Sequence, residues 1–165
     1  MEEIIIKNFN DLEKLIDKND INEADRTLFK QIELNENWYE KLFSHAKKIG
    51  IECISSPTYL ESIPMLIKHG ARYMKIASPQ TWGFPEVIKQ VAQSGLKTIM
   101  STGYCEEAEI KRAIEYFLRY GNKNDLTILH CVSQYPTELC NVNLKYMLKL
   151  KEKFQVSVGL SDHTR

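Results

Sequence analysis

From residue 50 to the end of the chain, short apolar and β-branched runs alternate with stretches of helical periodicity, the pattern of repeated βα units. The runs at 51–55, 73–76, 98–101, 126–131 and 156–160 are the strand candidates, each apolar enough to be buried on both faces of a parallel sheet. Between them Ile110, Ala113, Ile114, Phe117 and Leu118 recur at helical intervals and line one face of a helix. Pro85, followed by Val87, Ile88, Val91 and Ala92 and then Gly95, reads as a helix with proline in its first turn and glycine after its end. A similar helix is expected over about 143–153, with Leu144, Met147 and Leu148 facing inward. Trp38, Leu42, Phe43 and Ala46 mark a helix ending at Gly50, so that residues 1–49 form a helical lead-in whose first part is charged and weakly patterned. No linker or low-complexity tract divides residues 1–165, which read as a single domain.

Strand spacing of roughly 20–30 residues suits right-handed crossovers in either a barrel or an open doubly wound sheet. In a (β/α)8 barrel the chemistry sits at the carboxyl ends of several strands, and all the candidate strands here end in polar residues. The sequence therefore predicts an α/β fold of (β/α)8 TIM-barrel type, cut short at about five βα units.

Composition narrows the function. Twenty-two basic residues balance twenty-two acidic ones, with a pI near 6.9, so no basic stripe offers itself to a phosphate backbone and no nucleic acid partner is expected. No apolar run approaches the ~18 residues of a membrane span, and Met1-Glu2-Glu3 lacks the cationic start of a signal peptide. No membrane partner and a cytoplasmic location are expected. Cys53, Cys105, Cys131 and Cys140 include no C-x-x-C pair, which disfavours a disulfide framework or zinc knuckle and leaves most of them as reduced, partly buried thiols.

The strand ends carry the candidate chemistry. Ser55-Ser56-Pro57 follows the first, Lys75-Ile76-Ala77-Ser78 the second, and Ser101-Thr102-Gly103 the third, leading into a helix. Hydroxyls, an ammonium and a helix amino terminus together suit a phosphate or carboxylate, although serine and threonine also cap turns. Lys75 lies in an apolar strand, where its head must reach an anion or snorkel to water. The fourth strand ends His130-Cys131-Val132-Ser133-Gln134-Tyr135-Pro136 and the fifth Ser161-Asp162-His163. Imidazole can ligate a divalent metal with a carboxylate orienting it, and a hydrogen-bonded core histidine explains His130 equally well. His45 and His69 read as helix-surface residues. Gly159-Leu160-Ser161-Asp162-His163 lacks the second glycine of a nucleophile elbow, which disfavours a serine hydrolase.

Ser56-Pro57, Lys75-Ile76-Ala77-Ser78, Ser101-Thr102-Gly103, His130-Cys131-x-Ser133-x-Tyr135-Pro136 and Gly159-Leu160-Ser161-Asp162-His163-Thr164, in that order, resemble the N-acetylneuraminate (sialic acid) synthase family. The resemblance runs from about Phe29 to Arg165, and sister enzymes making legionaminic or pseudaminic acids share these strings. It implies a (β/α)8 barrel, usually followed by a small antifreeze-like domain that is not expected in this chain, and a homodimer. It also implies condensation of phosphoenolpyruvate with an N-acylated hexosamine of the N-acetylmannosamine type to a nine-carbon 2-keto acid, with release of phosphate. By the same resemblance Lys75, Ser78 and Ser101 hold phosphoenolpyruvate, with Ser56 and Ser161 nearby. Ser133 and Tyr135 lie close to the reacting substrates, and His163 ligates a divalent metal, Mn2+ or Mg2+. Lys75, Gln80 and Tyr135 are the catalytic candidates.

Two departures accompany these matches. Gln80 stands where the family usually has a glutamate, and an amide can act as neither acid nor base. The second metal-binding histidine would lie beyond Arg165 and the family's early strands before this chain begins, so the metal site is expected to be incomplete. Two other readings remain: a Schiff-base aldolase using Lys75, and a truncated remnant that binds without catalysis.

Overall fold

The structure, a computed structural model, describes residues 34–165, so the charged first part of the expected lead-in lies outside the described residues. Four parallel strands, β1 (Tyr73–Ile76), β2 (Lys97–Ser101), β3 (Leu126–Cys131) and β4 (Ser157–Ser161), form one sheet in chain order. Helices α1 (Asn37–Ile49) and α2 (Ser62–Lys68) precede β1. Helices α3 (Ser78–Gly83) and α4 (Pro85–Gln93) join β1 to β2, α5 (Glu107–Leu118) joins β2 to β3, and α6 (Tyr146–Phe154) joins β3 to β4. Local signals set the helix ends. Proline opens α4, and Gly50, at φ +77°, closes α1 in the left-handed conformation that favours glycine.

Side-chain parity along the strands gives the two faces of the sheet different fates. Register places Met74 beside Thr98 and Leu126, and Ile76 beside Met100 and Ile128. These residues are all enclosed, in one core with Val87, Ile88 and Val91 of α4 and Ile110, Ile114 and Phe117 of α5. Each such enclosed Ile, Met or Phe contributes about 1.5–3 kcal/mol. The opposite face presents Lys75, Ile99, Thr127 and Leu129, which are only half-buried. Strands in sequential order with helices packed against one face are the wall of a barrel; a doubly wound sheet carries helices on both faces and reverses its strand order.

The structure departs from the sequence expectations at several elements. The run at 51–55 is not a strand: it makes one parallel bridge, Ser55 to Met74, with the Lys75 N–H donating to the Ser55 carbonyl at 3.0 Å. Ile51 and Ile54 remain exposed, because no described element covers the outer side of this edge segment. Away from the helices, deep burial is reached only at the strand ends, at Ser101 and Cys131. Helix α6 begins at Tyr146, after Asn143 in a left-handed turn at φ 45°, so its inward stripe is Tyr146, Leu150 and Phe154; Leu144 and Leu148 are exposed. Trp38, Leu42 and Leu118 are exposed as well, leaving Phe43 and Ala46 of α1 and four apolar residues of α5 buried.

Candidate active site

Register brings the carboxyl ends of the four strands to one rim. Ser101 pairs with Leu129, Cys131 pairs with Ser161, and parity puts Lys75, Ser101, Cys131 and Ser161 all on the inner, half-open face. Lys75 is half-buried and has no carboxylate partner among the described residues. Ser101 is 1% exposed, and its hydroxyl has no hydrogen-bond partner. Leaving a buried hydroxyl unmatched costs about 1–3 kcal/mol, so the group is expected to have a purpose.

Ser78 behaves differently. It opens α3, is buried, accepts the Gly103 N–H at 2.9 Å and approaches Cys131 Sγ at 4.0 Å. Gly103 is pressed against the β3 end so closely that a Cβ there would lie 2.5 Å from Ser133 Oγ and 2.8 Å from Cys131 Sγ. Ser78, Gly103, Cys131 and Ser133 thus form a packed floor. Sequence reasoning missed the parts of Gly103 and Cys131 in it, and the signal was the glycine directly after two hydroxyl residues. Thr102 is committed to the backbone, its hydroxyl donating to the Leu129 carbonyl at 2.9 Å. Burial pushes the Cys105 thiol up to about 12, with Glu109 and Cys131 adding to the rise, which leaves it protonated at neutral pH.

The loops after β3 and β4 meet. The Thr137 N–H donates to the His163 carbonyl at 2.8 Å, and the Tyr135 ring lies on the His163 ring with centroids 4.2 Å apart. His163 Nδ1 is 2.8 Å from the Val132 carbonyl, which holds the proton on that nitrogen and turns Nε2 toward Ser161 Oγ at 3.3 Å. Asp162 does not orient this imidazole. It accepts from the Thr164 N–H and hydroxyl, and these bonds lower its pKa below the ordinary carboxylate value. Tyr135 is 73% exposed; partial desolvation, with Cys131 and Tyr104 nearby, raises its pKa.

Two predicted residues stand apart. His130 points to the helix side, where Nε2 contacts the Val142 carbonyl at 2.7 Å and the ring packs edge-on against Tyr146, so it is a core histidine. Ser56 is exposed, and no hydrogen bond among the described residues ties it to the rim. Gln80 lies in the first turn of α3 with a buried, unpartnered Oε1. As for a metal, no group of three or more His, Cys, Asp or Glu side chains gathers among the described residues. A single imidazole whose Nε2 faces the Ser161 hydroxyl suits at most one ligand position and does not by itself make a centre.

A parallel βα wall with hydroxyls and a lysine at its carboxyl rim defines a (β/α)8 TIM-barrel type of protein. The NeuB family model matches residues 1–165, and the chain belongs to the NeuB family. It is 37% identical over 144 residues to the N,N'-diacetyllegionaminic acid synthase of Campylobacter jejuni subsp. jejuni serotype O:2, covering 87% of this chain and 43% of that protein. It is 36% identical over 137 residues to the pseudaminic acid synthase of the same organism, covering 83% and 39%. Among solved structures, the N-acetylneuraminic acid (sialic acid) synthetase of Leptospira borgpetersenii serovar Hardjo-bovis superposes with a TM-score of 0.79 at 30% identity, over 87% of this chain and 49% of that one. A truncated 3-deoxy-D-arabino-heptulosonate 7-phosphate synthase from Thermotoga maritima, 13% identical over 80% of this chain and 51% of that one, shares the fold with a TM-score of 0.67. The chain spans less than half the length of the curated relatives it matches. No helix among the described residues is long and apolar enough to cross a membrane.

Proposed function

We propose that this chain carries the phosphoenolpyruvate-binding part of a nonulosonic acid synthase, which condenses phosphoenolpyruvate with an N-acylated hexosamine of the N-acetylmannosamine type. The observation that carries this reading is the buried, unpartnered Ser101 hydroxyl, on the same inner face as the unpaired Lys75. An anionic ligand would accept from both, and charge-assisted hydrogen bonds of this kind are the strong ones. Ser161 and Ser133 border the same rim, while Ser78 acts by holding the Gly103 turn.

In the reaction, carbon 3 of phosphoenolpyruvate attacks the sugar aldehyde, forming the new carbon–carbon bond. Water adds at carbon 2 with loss of a proton, and carbon–oxygen cleavage expels inorganic phosphate to leave the 2-keto acid. Lys75 and Ser101 would stabilise charge gathering on the leaving phosphate. Tyr135, stacked on His163, would face the sugar. Gln80 would serve as a neutral hydrogen-bonding group. The family is typically metal-dependent, and Mn2+ or Mg2+ here would require donors in addition to His163.

Calorimetric titration of phosphoenolpyruvate into the chain and its Lys75→Ala variant tests the binding step. Saturable binding weakened at least about tenfold by the substitution is expected. Absence of binding to a folded chain overturns the reading. Phosphate release on addition of N-acetylmannosamine, with and without manganese, then tests turnover.

A further inference from the structure

Away from the rim, on the helical layer, α3, α4 and α5 enclose a cleft of about 380 Å³. That volume falls within the ~300–1,000 Å³ of small-molecule sites. Trp82, Pro85, Ile88, Ala113 and Tyr116 supply its apolar surface, and Trp82 is 39% exposed. Arg112, Arg119, Glu109 and Glu115 form its charged border.

The acidic groups of this region are already engaged. Glu109 accepts the Glu106 N–H at 2.7 Å in the capping box of α5 and lies 3.8 Å from Arg112; Glu115 pairs with Lys111 at 3.7 Å. Nearby Glu86 accepts from the Tyr116 hydroxyl at 3.3 Å and from Lys89 at 3.1 Å. Arg119 has no carboxylate partner among the described residues; its guanidinium lies 5.9 Å over the Tyr116 ring. The cleft thus combines two aromatic walls with one uncommitted, planar cation placed over one of them. That set recognises a flat apolar group bearing an anion, since guanidinium binds carboxylate in a bidentate fork and aromatic rings stack or meet edge to face.

We propose that the cleft between Trp82, Tyr116 and Arg119 is a binding site for a small arylalkyl carboxylate. An ammonium beside the carboxylate would find every nearby acid already paired, so the site disfavours a zwitterionic amino acid. Thr81, Trp82 and Gly83 of the wall belong to the short helix that begins at Ser78, so an occupant would rest against the element supporting the rim floor.

The test uses the 165-residue chain with Trp38→Phe, which leaves Trp82 as the single tryptophan reporter. Titration with 3-phenylpropionate is expected to change Trp82 fluorescence saturably, with a midpoint of about 1–10 mM for so small a ligand. The neutral 3-phenylpropanamide and zwitterionic phenylalanine are each expected to bind at least about fivefold more weakly. Arg119→Gln should raise the acid's midpoint by about tenfold, while Lys97→Gln, outside the cleft, should not change it. A non-saturating response, equal binding of acid and amide, or tighter binding of phenylalanine would each overturn the assignment. The acid-versus-amide comparison needs no substitution in the cleft and so stands whatever Arg119→Gln does to folding.

Discussion

Ser78 and Ser101 are both buried serines at strand ends, yet their surroundings predict opposite responses to alanine. The Ser101 hydroxyl has no partner. Ser101→Ala should therefore leave urea stability unchanged or raise it by about 1 kcal/mol, while weakening phosphoenolpyruvate binding at least about tenfold. The Ser78 hydroxyl holds the Gly103 N–H at 2.9 Å. Ser78→Ala should cost about 1–3 kcal/mol by leaving that donor unmatched, and stability and affinity should fall together. Loss of stability in Ser101→Ala would show that its hydroxyl serves the fold. At Cys105 the folded thiol keeps its proton more tightly than the unfolded one, whose value is near 9.0. Its contribution to stability is intact below that value and is lost as pH rises toward about 12. Thermal midpoints measured from pH 8 upward should fall through this window, and less steeply in Cys105→Ala.

At the scale of elements, the sequence revealed most where one physical requirement acted alone. β3 was legible to the residue because its short β-branched and apolar run is bounded by polar residues on both sides, and α4 because proline and glycine bracket it. The run at 51–55 looked equally apolar, but strand formation needs a partner on at least one side, and only Ser55 finds one among the described residues. In α6 the apolar spacing was visible and its phase was not: the left-handed turn at Asn143 delays the helix, and two leucines expected inside face out. Of the residues in the strings at the strand ends, parity puts Lys75, Ser101 and Ser161 on one face and His130 on the other, Ser56 stands apart, and His163 reaches the rim from the loop after β4. That separation is testable. His130→Ala removes a packed ring from beneath α6 and should destabilise the fold by about 2–4 kcal/mol, whereas His163→Ala, in the loop after β4, should cost less than about 1 kcal/mol. Urea unfolding of the two variants decides it, and an equal loss of stability in both would sink the assignment.

At the scale of the whole molecule, the sheet is left with two unprotected flanks among the described residues. Beyond β4 no strand pairs, Leu160 of that strand is exposed, and Leu139, Leu144 and Leu148 are exposed on the loop and helix that lead into it, with Leu139 at 81% and Leu148 at 70%. On the other flank Ile49, Ile51 and Ile54 are exposed beside the single bridge at Ser55. An open parallel edge offers unpaired N–H and C=O groups, and adjoining apolar side chains make its burial favourable by about 25 cal/mol per Å². The two flanks differ, so contact of one with the other is head-to-tail: it closes if the rotation between copies allows and otherwise propagates. The isolated 165-residue chain should therefore associate in a concentration-dependent way, its sedimentation coefficient rising across the micromolar range. Leu139→Lys with Leu148→Lys places two charges on the exposed segment leading into β4 without touching the buried core, and should return the chain to monomer with its far-ultraviolet spectrum unchanged. A monomeric parent chain would show that these flanks do not bind one another, and a double variant that still associates would move the contact to a different surface.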